Sequence, residues 1–183
     1  MGLGPKLNEG FVNPKPGTCL MLIKEIKFET NENAQTTVRV NSEIVDCFDN
    51  PGNIGLQNSE YFGLHFFEKN GKKLWFGVEN FLGVIWKATG KKLDVAENYF
   101  DAAKKQQNTE NQLTGKEYAG DVIEDPGKDK DGNPRVYVKT KRYKDADEYK
   151  ALKKRYVDNG GEVAADATVE VAAAPAATGD DDW

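Results

Sequence analysis

The sequence predicts a mainly β, α+β domain, and three observations carry that expectation. Two stretches, Gln35 to Phe48 and Arg135 to Tyr143, alternate side chains with period two, as strands with one buried face do. Between them Val78 to Ala88 switches to a helical period, with Val78, Phe81, Leu82, Ile85 and Trp86 along one face. Finally, the run Asp125-Pro126-Gly127-Lys128-Asp129-Lys130-Asp131-Gly132-Asn133-Pro134 is dense in turn residues and joins the strand patterns Lys116 to Glu124 and Arg135 to Tyr143 into a hairpin. A chain of 183 residues has room for one packed domain with appendages. The expected division is an N-terminal arm over 1–17, a folded domain with its C-terminal helix over 18–157, and a disordered acidic tail over 158–183.

Taken in order, Met1 to Gly17 holds Gly2, Gly4, Pro5, Gly10, Pro14, Pro16 and Gly17, too many breakers for a regular element. Thr18 to Thr30 reads as the first strand. Its apolar residues occupy both parities, Leu20, Leu22, Ile26 and Phe28 against Cys19, Met21 and Ile23, as in a strongly bent strand that serves two layers. The second strand, Gln35 to Phe48, sets Val38, Val40 and Ile44 on one face and Thr37, Arg39, Asn41 and Glu43 on the other. Tyr61 to Glu68 and Lys72 to Phe76 flank Lys69-Asn70-Gly71, so the third strand either kinks there or carries its own hairpin. In the helix that follows, Trp86 is expected in the core and Gly90 ends the element. Asp94 with Glu97 opens a second helical pattern to about Gln107, and Asp145 with Glu148 repeats the capping signal before the stripe Tyr149, Leu152, Tyr156.

Three strands, a helical insert, two strands and a late helix is the element order of an OB-fold, a five-stranded Greek-key barrel with a helix between strands three and four. Such barrels bind oligonucleotides across strands two and three, with the loops after strands one and four reaching around the ligand. The corresponding positions here are Arg39 on strand two, Tyr61, His65 and Phe67 on strand three, and Lys128 and Lys130 in the loop after strand four. On strand five, alternation points Val136, Val138 and Thr140 to the core and Arg135, Tyr137, Lys139, Lys141 and Tyr143 outward. Cations attract a phosphate backbone and tyrosine rings stack on unpaired bases, so a face that interleaves them suits single-stranded nucleic acid.

Charge points the same way. The net charge is −5, but Asp158 to Trp183 contains seven acidic residues and no Lys or Arg, so the rest of the chain holds 25 basic residues against 23 acidic ones. Lys128 to Arg155 alone carries eleven basic and five acidic residues, which favours a polyanionic partner. No apolar run reaches the length of a membrane span and no secretory leader is visible, so the expectation is a soluble, cytoplasmic protein. Cys19 and Cys47 lack the paired spacing of a zinc site and are expected as buried free thiols. With His65 as the single histidine and no nucleophile constellation, the chain is not expected to be an enzyme, and no metal or cofactor is expected. Asp129, Asp131 and Gly132 have the look of a calcium loop, yet its first ligand position falls on Gly127 and its twelfth on Val138.

With these features together the chain resembles the small single-stranded-DNA-binding proteins of bacteriophages. The resemblance rests on the element order from Pro16-Gly17-Thr18 through Tyr143, on Gly115-Lys116-Glu117-Tyr118 opening strand four, and on the acidic tail ending Asp180-Asp181-Asp182-Trp183. It implies binding to single-stranded DNA with little sequence specificity, protection of that DNA during replication and recombination, and docking of replication or recombination proteins on Asp180, Asp181, Asp182 and Trp183. Related bacterial tails usually finish in phenylalanine, so Trp183 departs from that pattern. An RNA-binding OB module and a protein-interaction or virion structural role are the alternative readings.

Overall fold

The computed structural model describes residues 12–30, 32, 35–64, 67–74, 76–91, 112–129 and 131–163. Its elements are β1 (Gly17–Thr30), β2 (Thr36–Cys47), a 3-10 turn (Pro51–Asn53), β3 (Gln57–Gly63), the short pair β4 (Phe67–Lys69) and β5 (Lys72–Leu74), α1 (Phe76–Thr89), β6 (Glu117–Lys128), β7 (Pro134–Lys144) and α2 (Ala146–Asp158). The fourth and fifth strands of the sequence are thus β6 and β7. The helical pattern from Asp94 and the acidic tail beyond Val163 lie outside the described residues, whereas Asp158 to Val163, expected to begin that tail, close α2 and bring Val163 against the Tyr149 cluster.

Five strands form one antiparallel sheet in the order β3-β2-β1-β6-β7, and β4 with β5 forms a separate hairpin. The third strand of the sequence therefore carries its own hairpin rather than a kink. No backbone ladder joins the outer strands β3 and β7. Side chains bridge them instead: Asn58 Nδ2 donates to Thr140 Oγ1 at 3.0 Å and the Tyr143 hydroxyl donates to Glu60 Oε1 at 3.0 Å.

Two bulges interrupt the β1–β2 pairing, one on each strand. Val45 is an extra residue between the pairs Leu20↔Asp46 and Met21↔Ile44, and Lys24 is an extra residue between Ile23↔Ser42 and Glu25↔Asn41. The extra residue at Lys24 switches the inward parity, so Cys19, Met21 and Ile23 face the main core before it and Ile26 and Phe28 after it. Leu20 points the other way and joins Phe48, Ala119 and Tyr149 under α2. The strand does serve two layers, as its sequence suggests.

Cys19 and Cys47 are buried as expected, but they are not free thiols. They stand directly opposite each other across β1 and β2, with Cα atoms 4.1 Å apart, and form a disulfide. That register depends on the Val45 bulge, which turns Cys47 inward, and no spacing along the chain announces it. The Asn53 amide lies 3.6 Å from each sulfur and also brackets the Lys15 backbone at 2.9 and 2.8 Å, so it ties the incoming segment to this strand pair.

Helix α1 packs Val78, Phe81, Leu82, Val84 and Ile85 against the sheet interior, where Phe81 meets Phe28 edge-on and Phe62 at a tilt. A Cβ on Gly77 would strike the Gly63 backbone, so only glycine lets α1 start this close to the end of β3. Helix α2 opens with a complete capping box, Asp145 accepting from the Glu148 amide while the Glu148 carboxylate accepts from the Asp145 amide. Lys87 at the end of α1 reaches Glu148 at 2.7 Å, and Lys153 reaches Asp46 at 2.7 Å. These contacts join α2 to α1 and to β2.

Candidate nucleic-acid interface

The β6–β7 hairpin extends past its support. β1 pairs with β6 only as far as Val122, whereas β6 and β7 continue pairing out to Lys128↔Pro134. Beyond Val122 the hairpin is a two-stranded ribbon, which explains why Val136, expected in the core, is 53% exposed. Val138 and Thr140 lie further in and do turn toward the interior. At the ribbon's tip Asp129 accepts from the backbone amides of Asp131 and Asn133, both at 2.9 Å, and from the Asn133 side chain. These hydrogen bonds, the Asn133 amide first, hold the Asp129 carboxyl below its usual range. Gly132 takes the left-handed conformation that closes the turn, so its aspartates build a turn.

A second irregularity changes the site. Between Asp121↔Lys141 and Ala119↔Lys144, two residues of β7, Arg142 and Tyr143, stand against Gly120 alone, and Arg142 has φ of 53°. The bulge breaks alternation, so Tyr143 turns inward with Thr140 rather than outward with Lys139 and Lys141. Its ring packs on the core beside Tyr118, with centroids 6.1 Å apart, and its outward placement from the sequence is corrected.

Tyr143 thereby becomes part of a buried polar floor. Glu60 on β3 accepts from the Tyr118 hydroxyl at 2.9 Å and the Tyr143 hydroxyl at 3.0 Å, while Ser42 contacts Tyr118 at 3.3 Å. Burial pushes the Glu60 carboxyl up, against the two tyrosine hydrogen bonds that favour its charged form. The same burial, with Glu60 nearby, pushes the Tyr118 and Tyr143 hydroxyls far up, so they remain donors. Nothing in the sequence marks Glu60 as an inward residue except its parity with Asn58 and Phe62.

Above this floor lies a groove of about 870 Å³ between β3, α1 and β7. From β3 it takes Ser59 and Tyr61, from α1 Gly77, Asn80, Gly83, Trp86 and Lys87, and from β7 the run Tyr137 to Tyr143. Tyr61 is 63% exposed and Trp86 is 40% exposed. Trp86 is therefore not the core residue its helical stripe suggests: it sits at the edge of that stripe and faces the groove, with the Lys87 ammonium 4.5 Å from its ring centroid. Trp86, Lys87 and Asn80 are site residues that sequence reasoning missed.

Of the residues the sequence nominates, Tyr61, Tyr137, Lys139, Lys141 and Tyr143 are brought to this one groove. Arg39 stands opposite Tyr61 in the β2–β3 register, and the Tyr61 hydroxyl is the main influence favouring its positive form. Its Nε is buried without a hydrogen-bond partner among the described residues. Arg135 and Lys128 lie on the projecting ribbon, where the Tyr137 hydroxyl donates to the Lys128 carbonyl at 2.9 Å and the Arg135 guanidinium sits 5.3 Å from the Tyr137 ring centroid. Phe67 is described only as a β4 backbone position. His65, Lys130 and the segment Asp180, Asp181, Asp182 and Trp183 lie outside the described residues.

The groove's cations differ in their partners. Lys139 pairs with Asp125 across the ribbon, and this ion pair holds the Asp125 carboxyl low. Arg142 and Lys144 share Asp121 at 2.6 and 2.7 Å. Lys141 is exposed and has no ion pair with any described residue. Among the described residues no group of His, Cys, Asp and Glu could hold a metal ion, and no helix is long and apolar enough to cross a membrane. No protein-family model matches the chain, and no curated protein matches it.

Proposed function

We propose that this protein binds single-stranded DNA, with little sequence preference, in the groove between β3, α1 and β7, and that its sheet is an OB-type barrel left open between β3 and β7. The carrying observation is that Tyr61 and Trp86 expose aromatic rings to the same groove whose β7 wall carries Lys139, Lys141 and Arg142. Ring faces stack on any unpaired base and cations follow the backbone, so neither contact reads base edges. The OB-type reading is supported by the strand order, in which β6 pairs with β1 and β7 lies at the edge bridged to β3 by Asn58–Thr140 and Glu60–Tyr143.

Within this reading the protein protects single strands during replication and recombination, as the resemblance to phage proteins implies. The acidic segment from Asp158, with Asp180, Asp181, Asp182 and Trp183, docks replication or recombination proteins. The test is a fluorescence-quenching titration with oligo-dT, an RNA of equal length and a duplex, at several salt concentrations. Tight, salt-sensitive binding to oligo-dT over duplex supports the reading. Preference for RNA favours an RNA-binding module, and no binding to any of the three favours a protein-interaction or structural role.

A further inference from the structure

The groove has an aromatic wall on the wrong side for a sheet-only binding face. Along α1, Gly77, Asn80, Gly83 and Trp86 follow at intervals of three residues and all line the groove, while Val78, Phe81, Leu82 and Ile85 fill the core. The helix thus presents two small residues below an indole. At Gly83 an added Cβ would meet only the Tyr143 ring, at 3.5 Å, so the space above it is open as far as that ring. Across the groove stands the exposed ring of Tyr61 on β3. The volume of 870 Å³ falls within the range of about 300–1,000 Å³ common for small-ligand clefts.

We infer that the slot over Gly83, walled by Trp86 of α1 and Tyr61 of β3, is a nucleobase-binding subsite in which an unpaired base stacks on the Trp86 indole, so that the inserted helix is part of the binding surface. The inference rests on the single-stranded-DNA reading and deepens it. Three features favour a base over a phosphate. Trp86 and Tyr61 both line the groove with partly exposed aromatic rings, and such rings stack on unpaired bases. The floor is the Tyr143 ring, whose hydroxyl is already donated to the buried Glu60 carboxyl beneath it, so it offers a phosphate neither a cation nor a free donor. The cations Lys139, Lys141 and Arg142 lie along the β7 side, where a backbone can run while its base points inward.

The test compares oligo-dT with an abasic oligonucleotide of equal length, which keeps the phosphates and removes the bases. Wild-type protein, Trp86→Ala, Trp86→Phe and Gly83→Leu are titrated with both by fluorescence anisotropy of labelled DNA, after circular dichroism confirms each fold. Gly83→Leu fills the slot and replaces glycine with a better helix former. Wild-type protein should prefer oligo-dT by about tenfold or more. In Trp86→Ala and Gly83→Leu the ratio should fall severalfold, and Trp86→Phe should retain most of it. Wild-type preference for oligo-dT that persists in both Trp86→Ala and Gly83→Leu overturns the subsite while leaving single-strand binding intact. Failure of wild-type protein to bind either oligonucleotide overturns the single-stranded-DNA reading itself, and the subsite with it.

Discussion

Tyr143 donates a hydrogen bond of 3.0 Å to Glu60 Oε1, so β7 and β3, the two outer strands of the sheet, are joined by a tyrosine and a buried carboxyl instead of a backbone ladder. The bond exists because the Arg142 bulge turns Tyr143 inward. Removing the hydroxyl with Tyr143→Phe leaves the ring's packing in place but deprives a buried acceptor of a donor, at a cost of about 1–3 kcal/mol. Urea unfolding at pH 7 measures it. Tyr137→Ala, on the exposed ribbon, should instead cost about 1–3 kcal/mol of single-strand affinity and change the unfolding midpoint much less.

Glu60 makes stability depend on pH with a definite sign. Its folded-state pKa is raised by burial above the ordinary value of 4.5, so between that value and the raised one the folded protein holds a proton that the unfolded chain has released. In that window stability falls as pH rises, and above the raised pKa the loss is complete. Glu60→Gln removes this component, because the amide carries no charge and can still bond both tyrosines. Denaturation midpoints from pH 4.5 to 8 should decline less in Glu60→Gln than in wild-type protein, and parallel curves would count against the buried proton.

The Cys19–Cys47 disulfide closes a loop with a sequence separation of 28 residues and lies in the core. Disulfides of this kind typically contribute about 2–4 kcal/mol. Titration of the denatured, unreduced protein with a thiol reagent should find no free thiol, and reduction should lower the unfolding midpoint. Two reactive thiols would contradict the pairing.

Salt dependence separates the cations. Lys141 has no ion pair with a described residue, so under the proposed single-strand binding it meets a phosphate without first breaking a pair, and Lys141→Ala should flatten the log–log salt dependence by about 0.7. Under the same proposal Lys139 would first have to exchange Asp125 for a phosphate. Asp125→Asn should therefore raise single-strand affinity at low salt, and the gain should fade as salt screens the exposed pair.

Much of the fold is legible in local pattern, and the site is less so. The alternation of Val38 and Val40, the helical stripe of Val78, Phe81 and Ile85, and the Asp145–Glu148 cap all express local rules, and each forms as the sequence suggests. Two of the misses share one cause. Single-residue bulges at Val45 and Arg142 turn Cys47 and Tyr143 inward, and a bulge is set by pairing with a distant strand rather than by neighbours in the chain. Trp86 fits the apolar stripe of α1 by spacing, and only the position of β7 across the groove makes it a wall. Parity alone places Val136 in a core that ends before the ribbon does.

The most direct measurement is residue-resolved NMR mapping of the ¹⁵N-labelled protein titrated with oligo-dT at low salt. The expected result is amide and indole shifts concentrated on Ser59 to Phe62, on Gly77 to Lys87 including the Trp86 indole, and on Tyr137 to Tyr143, with the α2 surface around Lys150 and Lys154 unchanged. Shifts confined to α2, or none along β3, α1 and β7 at saturating DNA, would contradict binding in the groove.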